Sequence, residues 1–408
     1  MKSKIFHFFS IIVSCIFTVF SCVFKNVSSN ADSQTSISME ETFDKKDQVF
    51  LSKFAESIQY VPLETRIHEI DNNPTISANE NWFVSIAYKQ IFVFDRKSGK
   101  FVREISNYGR GPEEYCNSGK YYPERQAIMA TSYNCRDISE FDLTGKLNQS
   151  ISTLQRNTKN SMDTDVNSFN GILDSVTYIY YCENNSGNAP HRIILTNGTG
   201  DVLKTIPNHN KHTPKGMFLA TGNSLCYHYD GKTFFYENYT DTVFCVTKEG
   251  LIPHVILGMG KYCPPYIKKS ELISRALDDY FIFNRNSMGE SGRFLFFSFY
   301  HQYNPIDKVN SSFWGYHDKK TKKSYIADID DTYQSIVIND IDHFVPLNPA
   351  NFTITCNNEL VTYMEAWKIV EWFEKNPEQA KKLPEHLRNL SNLDPEDNPV
   401  VVVINLKQ

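Results

Sequence analysis

Apolar and polar residues alternate in a short unit that recurs along most of the chain. The unit consists of an apolar strand, a polar turn that usually contains Gly, and a second strand. Gly supplies the left-handed backbone that a tight turn needs, and Asp or Asn hydrogen-bonds the nearby backbone. Each unit therefore predicts a β-hairpin with one buried face. Copies lie at residues 91–105, 138–147, 192–203 and 242–253, with a looser copy at 314–325 that lacks the turn Gly.

The spacing of these units indicates the architecture. The turn glycines Gly99, Gly145, Gly200 and Gly250 lie 46, 55 and 50 residues apart. A period near 50 residues, with four strands in each unit, is typical of a β-propeller, although solenoids and a double sandwich are competing architectures. The stretch from about residue 50 to 408 has room for six blades. The predicted fold class is all-β, a six-bladed β-propeller.

The C-terminal region departs from the strand pattern and then returns to it. Apolar residues within 359–375 have spacings compatible with an amphipathic helix, and Pro377 stands where a helix should end or restart. We therefore predict a short helical insertion at about 359–392. The apolar run at 398–406 is predicted to be a closing strand that pairs with residues near 58–63, which would remove free sheet edges.

The N-terminus is typical of an export signal. Lys2 and Lys4 precede an apolar run at 5–20 that is too short for a spanning helix and stops at Ser21-Cys22. Because Cys22 follows a small residue, as in a bacterial lipobox, it is the predicted lipid anchor. A plain secretory signal or a retained membrane anchor are the alternatives. We predict a signal peptide at 1–21, a flexible tether at 22–45 and the propeller at 46–408.

Charge and cysteine content exclude some partners and cofactors. The chain has 42 basic and 47 acidic residues, and it lacks the basic run that nucleic-acid binding needs. Seven cysteines follow Cys22 at irregular spacings; Cys116 and Cys135 are a potential disulfide pair in an oxidising compartment. His209 and His212 lie in a polar segment that reads as a solvent-exposed loop. No metal site and no cofactor is predicted.

Three motifs carry a family resemblance. The opening Tyr60-Val61-Pro62-Leu63-Glu64-Thr65, the stretch from Phe92 to Phe101 followed by Gly109–Tyr115, and the closing Asp397–Val401 with Lys407 resemble the six-bladed β-propeller lipoproteins of Bacteroides and relatives. The resemblance covers nearly the whole mature chain. It implies a propeller fold and export, with NHL-type relatives that mainly bind partners. Together with the lipobox-like Cys22, it leads us to predict a protein that is lipid-anchored in the bacterial cell envelope, at the outer membrane, facing the periplasm or the surface.

The segment Gly109–Tyr115 is the most distinctive local sequence and the candidate binding loop. Arg110 and Glu114 could present a charge pair at the mouth of the ring, with Tyr108 or Tyr115 as a stacking surface. The alternative is a turn between blades, in which the glycines and Pro112 shape the backbone and Tyr115 packs beneath.

Two functional classes remain open. The favoured one is a membrane-tethered, non-catalytic binding or scaffold module whose partner is an unknown envelope protein or a glycan. The alternative is a hydrolase or lyase acting on a sugar, peptide or lactone in the central channel. The sequence contains no G-x-S-x-G motif, and we assign no catalytic residue. An enzyme would be recognised by His, Asp and Glu side chains that converge at the ends of the innermost strands.

Overall fold

Six small antiparallel sheets surround a central channel in the computed structural model of the chain. The chain divides into residues 1–36 and a body from Ile37 to Gln408. The structure describes residues 35–408 with the exception of 66–69, 71–72, 106–107, 110, 112, 116–118, 132–136, 153–166, 214–223, 267–278, 284–285, 305–308 and 356.

Each blade has four strands, the sheet of blade 4 carries a fifth, short strand, and successive blades follow the order of the chain. The predicted six-bladed β-propeller is confirmed. Ahead of the first blade lie β1 (Thr35–Ile37), α1 (Met39–Asp44), β2 (Val49–Phe50) and β3 (Ala55–Pro62). Blade 1 comprises β4 (Thr75–Ala78), β5 (Trp82–Ala87), β6 (Gln90–Asp95) and β7 (Phe101–Glu104); blade 2 comprises β8 (Lys120–Tyr122), β9 (Ala127–Thr131), β10 (Asp137–Asp142) and β11 (Leu147–Ser152).

The next three blades repeat this layout. Blade 3 comprises β12 (Asn167–Ile172), β13 (Tyr178–Cys182), β14 (His191–Thr196) and β15 (Val202–Pro207). Blade 4 comprises β16 (Ser224–Tyr229), β17 (Lys232–Glu237), β18 (Thr242–Val246) and β19 (Leu251–Leu257). Blade 5 comprises β20 (Met288–Glu290), β21 (Phe294–Asn304), β22 (Val309–Asp318) and β23 (Lys323–Ala327), and is followed by β24 (Val337–Ile338), which pairs with β2.

Blade 6 joins the two ends of the chain. Its strands are β25 (Thr353–Ile354), β26 (Glu359–Met364), β27 (Val400–Leu406) and, outermost, the early strand β3. In the antiparallel pairing of β27 with β3, Val400 lies opposite Pro62 and Ile404 opposite Ile58. The predicted closure of the ring by a C-terminal strand is therefore confirmed.

The repeated hairpin unit is the outer half of a blade, its third and fourth strands. At the end of the third strand a side-chain oxygen accepts a hydrogen bond from the turn backbone, as Asp95 Oδ1 does from the Ser98 amide at 2.8 Å. Gly99, Gly145 and Gly200 take a left-handed φ, whereas Gly250 does not. In the looser copy Lys322 adopts this conformation, with φ of 57°. The same local chemistry therefore builds the hairpin with and without Gly.

The core lies in the seams between neighbouring blades. Alternating apolar residues put one set of side chains on each face of a sheet, and the facing sets of two blades pack together. Between blades 6 and 1, for example, Val401 and Val403 pack in one buried cluster with Phe83 and Phe94. The ring is thus held together by six similar interfaces.

The segment predicted as a flexible tether is folded over its last part. Helix α1 has buried Met39 and Phe43 one turn apart, and the Phe43 ring lies 5.0 Å from that of Phe281 and 4.9 Å from that of Phe313. The Gly258 amide donates to the Ile37 carbonyl at 2.7 Å. Only two buried side chains, Met39 and Phe43, dock this helix of six residues. The rest of the segment is polar, and for that reason its composition predicted a tether. From Ile37 onward the chain belongs to the body.

The helical insertion is shorter than predicted. Residues 359–364 form strand β26, in which every side chain is buried, and the helices are α2 (Ala366–Lys375), α3 (Pro377–Ala380) and α4 (Glu385–Arg388). A short apolar run that is buried on both faces has no strand alternation, so periodicity alone does not separate it from a helix. The Trp372 and Phe373 rings lie 4.7 and 5.5 Å from that of Phe344. The insertion therefore packs against the body.

Candidate functional site

The two faces of the ring differ in their connections. Because neighbouring strands in a blade are antiparallel, the links from strand 1 to 2 and from strand 3 to 4 emerge on one face, which we call the turn face. The links from strand 2 to 3 and from blade to blade emerge on the opposite face, the loop face. Between the strands of the blades, every link longer than five residues leaves and re-enters its strands at the loop face: 63–74, 105–119, 153–166, 183–190, 208–223, 258–287, 328–352 and 365–399. Long variable connections on a rigid frame are where binding sites usually occur.

The predicted binding loop lies on the loop face, but its described residues mainly hold the loop itself. Glu114 Oε2 accepts a hydrogen bond from the Gly111 amide at 2.6 Å, and the Gly109 amide donates to the Tyr115 carbonyl at 3.0 Å. The Tyr115 side chain is fully buried, and burial raises the pKa of its phenol. Arg110 lies outside the described residues. Glu114 and Tyr115 thus hold the loop, as in the turn-between-blades alternative, and a binding role for Arg110, Glu114 and Tyr115 stays a prediction.

An exposed aromatic pair stands beside this loop. Tyr88 is 60% exposed and Tyr108 37% exposed; their ring centroids are 5.8 Å apart and their hydroxyl oxygens 3.3 Å apart. The Lys89 ammonium lies 5.1 and 5.2 Å from the two ring centroids. Exposed aromatic rings beside a cation offer apolar, hydrogen-bonding and charged contacts on one small surface. We name Tyr88, Lys89 and Tyr108 the aromatic platform.

Sequence reasoning identified only half of the aromatic platform. It considered Tyr108 as a stacking residue but overlooked Tyr88. The overlooked pattern is Tyr88-Lys89, the two-residue turn between β5 and β6, where Lys89 has a left-handed φ of 69°. A large aromatic residue at the tip of a hairpin is not buried by its own blade. This position was the signal in the sequence that could have identified Tyr88 as exposed.

The central channel is a cavity of about 1330 Å³ lined by the innermost strand of all six blades. On the side of blades 5, 6 and 1 its lining is mostly neutral, with Met288, Ile354, Thr353 and Ser77 among the residues; Glu290 is the charged exception among the described residues. On the side of blades 2 to 4 the lining carries charge. We call this second side the charged wall; it contains Lys120, Glu124, His228 and Asp230.

The charged wall is built from residues of separate blades. The Lys120 ammonium donates to the Cys226 carbonyl at 3.0 Å and lies 5.6 Å from the Tyr122 ring centroid. The Tyr122 ring in turn meets the edge of the His228 ring, with centroids 5.7 Å apart. His228 Nε2 is 3.7 Å from Glu124 Oε1. Ammonium, imidazole and carboxylate thus follow one another from the loop-face end of β8 to the turn face.

His228 is held as a neutral ring. Burial lowers its pKa below the usual value, against smaller opposing effects of the Glu124 carboxylate and the Ile172 carbonyl. Because a carbonyl oxygen only accepts, the 2.9 Å contact with Ile172 O requires the proton on Nε2. Nδ1 is then an acceptor, and no described residue hydrogen-bonds to it. The imidazole therefore offers a hydrogen-bond acceptor to the channel.

The other charged groups lining the channel already have protein partners. The Arg125 guanidinium contacts Glu140 at 2.9 Å, the Asp174 carboxylate contacts Lys248 at 2.9 Å, and the nearly inaccessible Glu290 carboxylate contacts His254 Nε2 at 2.9 Å. These pairs tie strands and blades together. The charged wall differs from these pairs because it places an ammonium and carboxylates at its two separate ends.

A buried ion pair at the turn face stabilises blade 5. Arg293 donates to both carboxylate oxygens of Asp318, at 3.1 and 2.7 Å, and Asp318 also accepts from the turn amides of Lys320 and Thr321. Burial acts to raise the pKa of Asp318, but these hydrogen bonds outweigh it and lower the pKa to about 2. Such bidentate pairs between Arg and a carboxylate are among the stronger charged contacts in proteins.

We expect Asp318→Asn to destabilise the protein at neutral pH by up to about 2 kcal/mol, because the amide keeps the turn contacts but loses the charge. The folded pKa lies below the ordinary value of 3.8, so this stabilisation is complete above pH 4 and is lost as the pH falls towards 2. Urea unfolding of both proteins between pH 7 and 2.5 measures the difference. Asp95→Asn, at the same turn position in blade 1 but exposed, is the control. A difference that is independent of pH would contradict the assignment.

Several predicted positions lie outside the described residues: Cys22, Cys116, Cys135 and Cys356. Burial raises the pKa of the Cys226 and Cys263 thiols to about 12 and 11, so both are poor nucleophiles.

The prediction of a solvent loop is wrong for His212, which is buried with its ring 5.8 Å from that of Tyr266. Polar neighbours in the sequence concealed this, because the loop folds back on blade 3.

Among the residues that the structure describes, no group of three or more His, Cys, Asp or Glu side chains is placed to hold a metal ion. No helix in this part of the chain is long and apolar enough to cross a membrane.

Residues 34–405 match the family described as "Domain of unknown function (DUF4934)". The chain belongs to the DUF4934 family. No curated protein matches it. Among solved structures, the DUF4934 fold is similar to a Bacteroides fragilis protein described as exported, with a TM-score of 0.62 and 15% identity, covering 89% of this chain and 99% of the other. A member of the DUF4221 family from Bacteroides vulgatus gives a TM-score of 0.49 and 10% identity, over 86% and 97% of the two chains. At these identities the likeness shows the fold alone.

Proposed function

We propose that this protein is an exported, lipid-anchored β-propeller that acts as a non-catalytic binding or scaffold module in the cell envelope. The observation that carries the proposal is the aromatic platform, because two exposed tyrosines flank a lysine on the face that holds every long connection. Tyrosine rings exposed side by side offer a partner both an apolar face and a hydroxyl group for hydrogen bonds. The partner is an envelope protein or a glycan that stacks on these rings.

The anchor completes the proposal. Cys22 follows a lipobox-like stretch, and the structurally similar protein of Bacteroides fragilis is described as exported. A lipid on Cys22 would place the ring at a membrane surface, in the manner of the NHL-like propeller lipoproteins that the sequence resembles. Cys22→Ser should therefore move the protein from the membrane fraction to the soluble envelope fraction.

Cross-linked affinity purification of the tagged protein from its native membrane tests the binding role. We expect a stoichiometric partner with the unmodified protein and at least a ten-fold lower yield of it with the double variant Tyr88→Ala, Tyr108→Ala. Tyr325→Ala, which alters another exposed tyrosine (38% exposed) on the outermost strand of blade 5, is the matched control and should retain the partner. Equal capture by the double variant would exclude the aromatic platform as the binding surface.

A hydrolase or lyase is the second candidate, and one observation favours it. Neutral His228 and the Glu124 carboxylate converge at the ends of inner strands, as an acid–base pair would. Its substrate would be a sugar, peptide or lactone small enough for the channel. Turnover of such a substrate that His228→Gln abolishes, with substrate binding retained, would establish this function.

A further inference from the structure

We propose that the central channel binds a short peptide of two or three residues as a zwitterion, with the peptide carboxylate towards Lys120 and its ammonium towards Glu124 and Asp230. The inference rests on the proposed binding function and names a ligand class for a second site, distinct from the aromatic platform. Four observations carry it: the polarity of the charged wall, its length, the acceptor on His228, and an opposite wall whose one described charge, Glu290, is already paired with His254.

The two ends of the charged wall have opposite charge. Lys120 begins β8, whereas Glu124 and Asp230 follow the ends of the inner strands β8 and β16 at the turn face. A purely anionic ligand that reached Lys120 would be repelled by these two carboxylates, and a purely cationic one by Lys120. A ligand with one charge of each sign at its two ends complements both.

The length of the wall sets the size of the ligand. Glu124 stands four positions after Lys120. Residues Lys120–Tyr122 are extended and Pro123–Arg125 form one turn of 3-10 helix, so the Cα atoms of Lys120 and Glu124 are at most roughly 11 Å apart. An extended peptide of two to three residues spans roughly 7 to 10 Å, which matches this length. Longer peptides would have to leave one terminus outside the charged wall.

The middle of the wall offers a partner for a peptide amide. His228 Nδ1 is an acceptor to which no described residue donates, and the ring lies between the ammonium of Lys120 and the carboxylate of Glu124. A peptide N–H supplies the donor that this nitrogen needs. Unlike a sugar hydroxyl, the amide donates without also requiring a donor from the protein.

The opposite wall is suited to small, uncharged side chains. Met288, Ile354 and Thr353 line it, and a side chain added at Gly289 would come within 2.6 Å of Ile354 Cγ2. The one charged side chain described on this wall, Glu290, is nearly inaccessible and paired with His254, so the wall accommodates apolar or hydroxyl side chains in preference to charged ones. Peptides of Ala are therefore suitable probes.

Calorimetric titration of the full-length protein in detergent with Ala-Ala and Ala-Ala-Ala tests the inference. We expect binding that weakens at least ten-fold when the N-terminus is acetylated or the C-terminus is amidated. In Lys120→Met, the free peptide and the C-terminally amidated peptide should bind with equal affinity. In Glu124→Gln, the free peptide and the N-terminally acetylated peptide should bind with equal affinity. Asp174→Asn, which alters a channel carboxylate already paired with Lys248, is the matched control and should bind as the wild type does. Lys120→Arg, which keeps the charge, should retain the discrimination.

Several outcomes would overturn the inference: equal affinity for free and capped peptides, binding of galacturonate in preference to peptides, or no peptide binding at all. Partner capture through the aromatic platform is independent of these titrations. If capture persists and peptides do not bind, the inference fails and the proposed function stands. If peptides bind and capture fails, the inference about the channel stands and the proposed role of the aromatic platform fails. Cleavage of a bound peptide, detected by mass spectrometry, would support the site and assign it to the hydrolase.

Discussion

Deletion of residues 400–408 should abolish the native fold and leave an aggregating protein. This segment contains β27, which pairs with β26 on one side and with β3 on the other. Four consecutive valines and Ile404 within it are all buried. Their burial contributes on the order of 10 kcal/mol, which is comparable to the whole stability of a typical domain. Without β27, both β26 and β3 would present unpaired sheet edges.

Light scattering and circular dichroism of the truncated protein measure the effect. Two point variants perturb the closing strand to different degrees. Val402→Asp puts a charge in the seam, whereas Asn405→Ala removes one hydrogen bond to Ser57. We expect Val402→Asp to unfold or aggregate and Asn405→Ala to lose about 1 kcal/mol. A soluble truncated protein with native spectra would show that five blades suffice.

Gly99→Ala should destabilise the protein by at least about 3 kcal/mol. Gly99 has a φ of +69°, and a Cβ built on it would lie 1.9 Å from the Pro62 carbonyl oxygen. The Glu64 amide also donates to the Gly99 carbonyl at 2.9 Å. The turn of blade 1 therefore packs directly on the outermost strand of blade 6, and a methyl group would push the two blades apart. Denaturant unfolding gives the change in the free energy of unfolding.

Gly231→Ala separates the two contributions. Gly231 has nearly the same φ, +67°, but a Cβ there would meet no atom within 4 Å. This variant should therefore cost only the left-handed backbone penalty of about 1 kcal/mol. Equal losses for the two variants would mean that the seam accommodates the extra methyl group.

The parts of the fold that the sequence predicted are those fixed by local chemistry. Asp95 and Gly99 specify their turn whatever surrounds them, and their recurrence gave the period and hence the number of blades. The closing strand was predictable because a run of buried valines near a chain end needs partners on both faces. Residues 359–364 were misassigned because a strand buried on both faces has no alternation. Phe43 was overlooked because a single side chain leaves no periodic pattern.

The candidate sites were less predictable because they depend on assembly of the ring. Lys120, Glu124 and His228 are each ordinary in their local sequence; only the arrangement of blades 2 and 4 around the channel brings the imidazole within 3.7 Å of the carboxylate. The conspicuous motif Gly109–Tyr115 owes its glycines to a compact loop. Glu114 fills the space beside Gly109, where a Cβ would lie 2.0 Å from its carboxylate oxygen. The distinctive residues of this motif therefore reflect the backbone conformation of the loop.

The pairing of β3 with β27 also has a consequence for biosynthesis. Pro62 is synthesised 338 residues before its partner Val400. At ribosomal rates of about 5 to 20 residues per second, β3 waits on the order of 20 seconds or longer for the strand that covers it. Throughout that time the ring is open and one of its sheet edges is unprotected. A chaperone that shields this early segment, or delivery of the chain across a membrane before it folds, would protect the nascent protein until its last residues arrive.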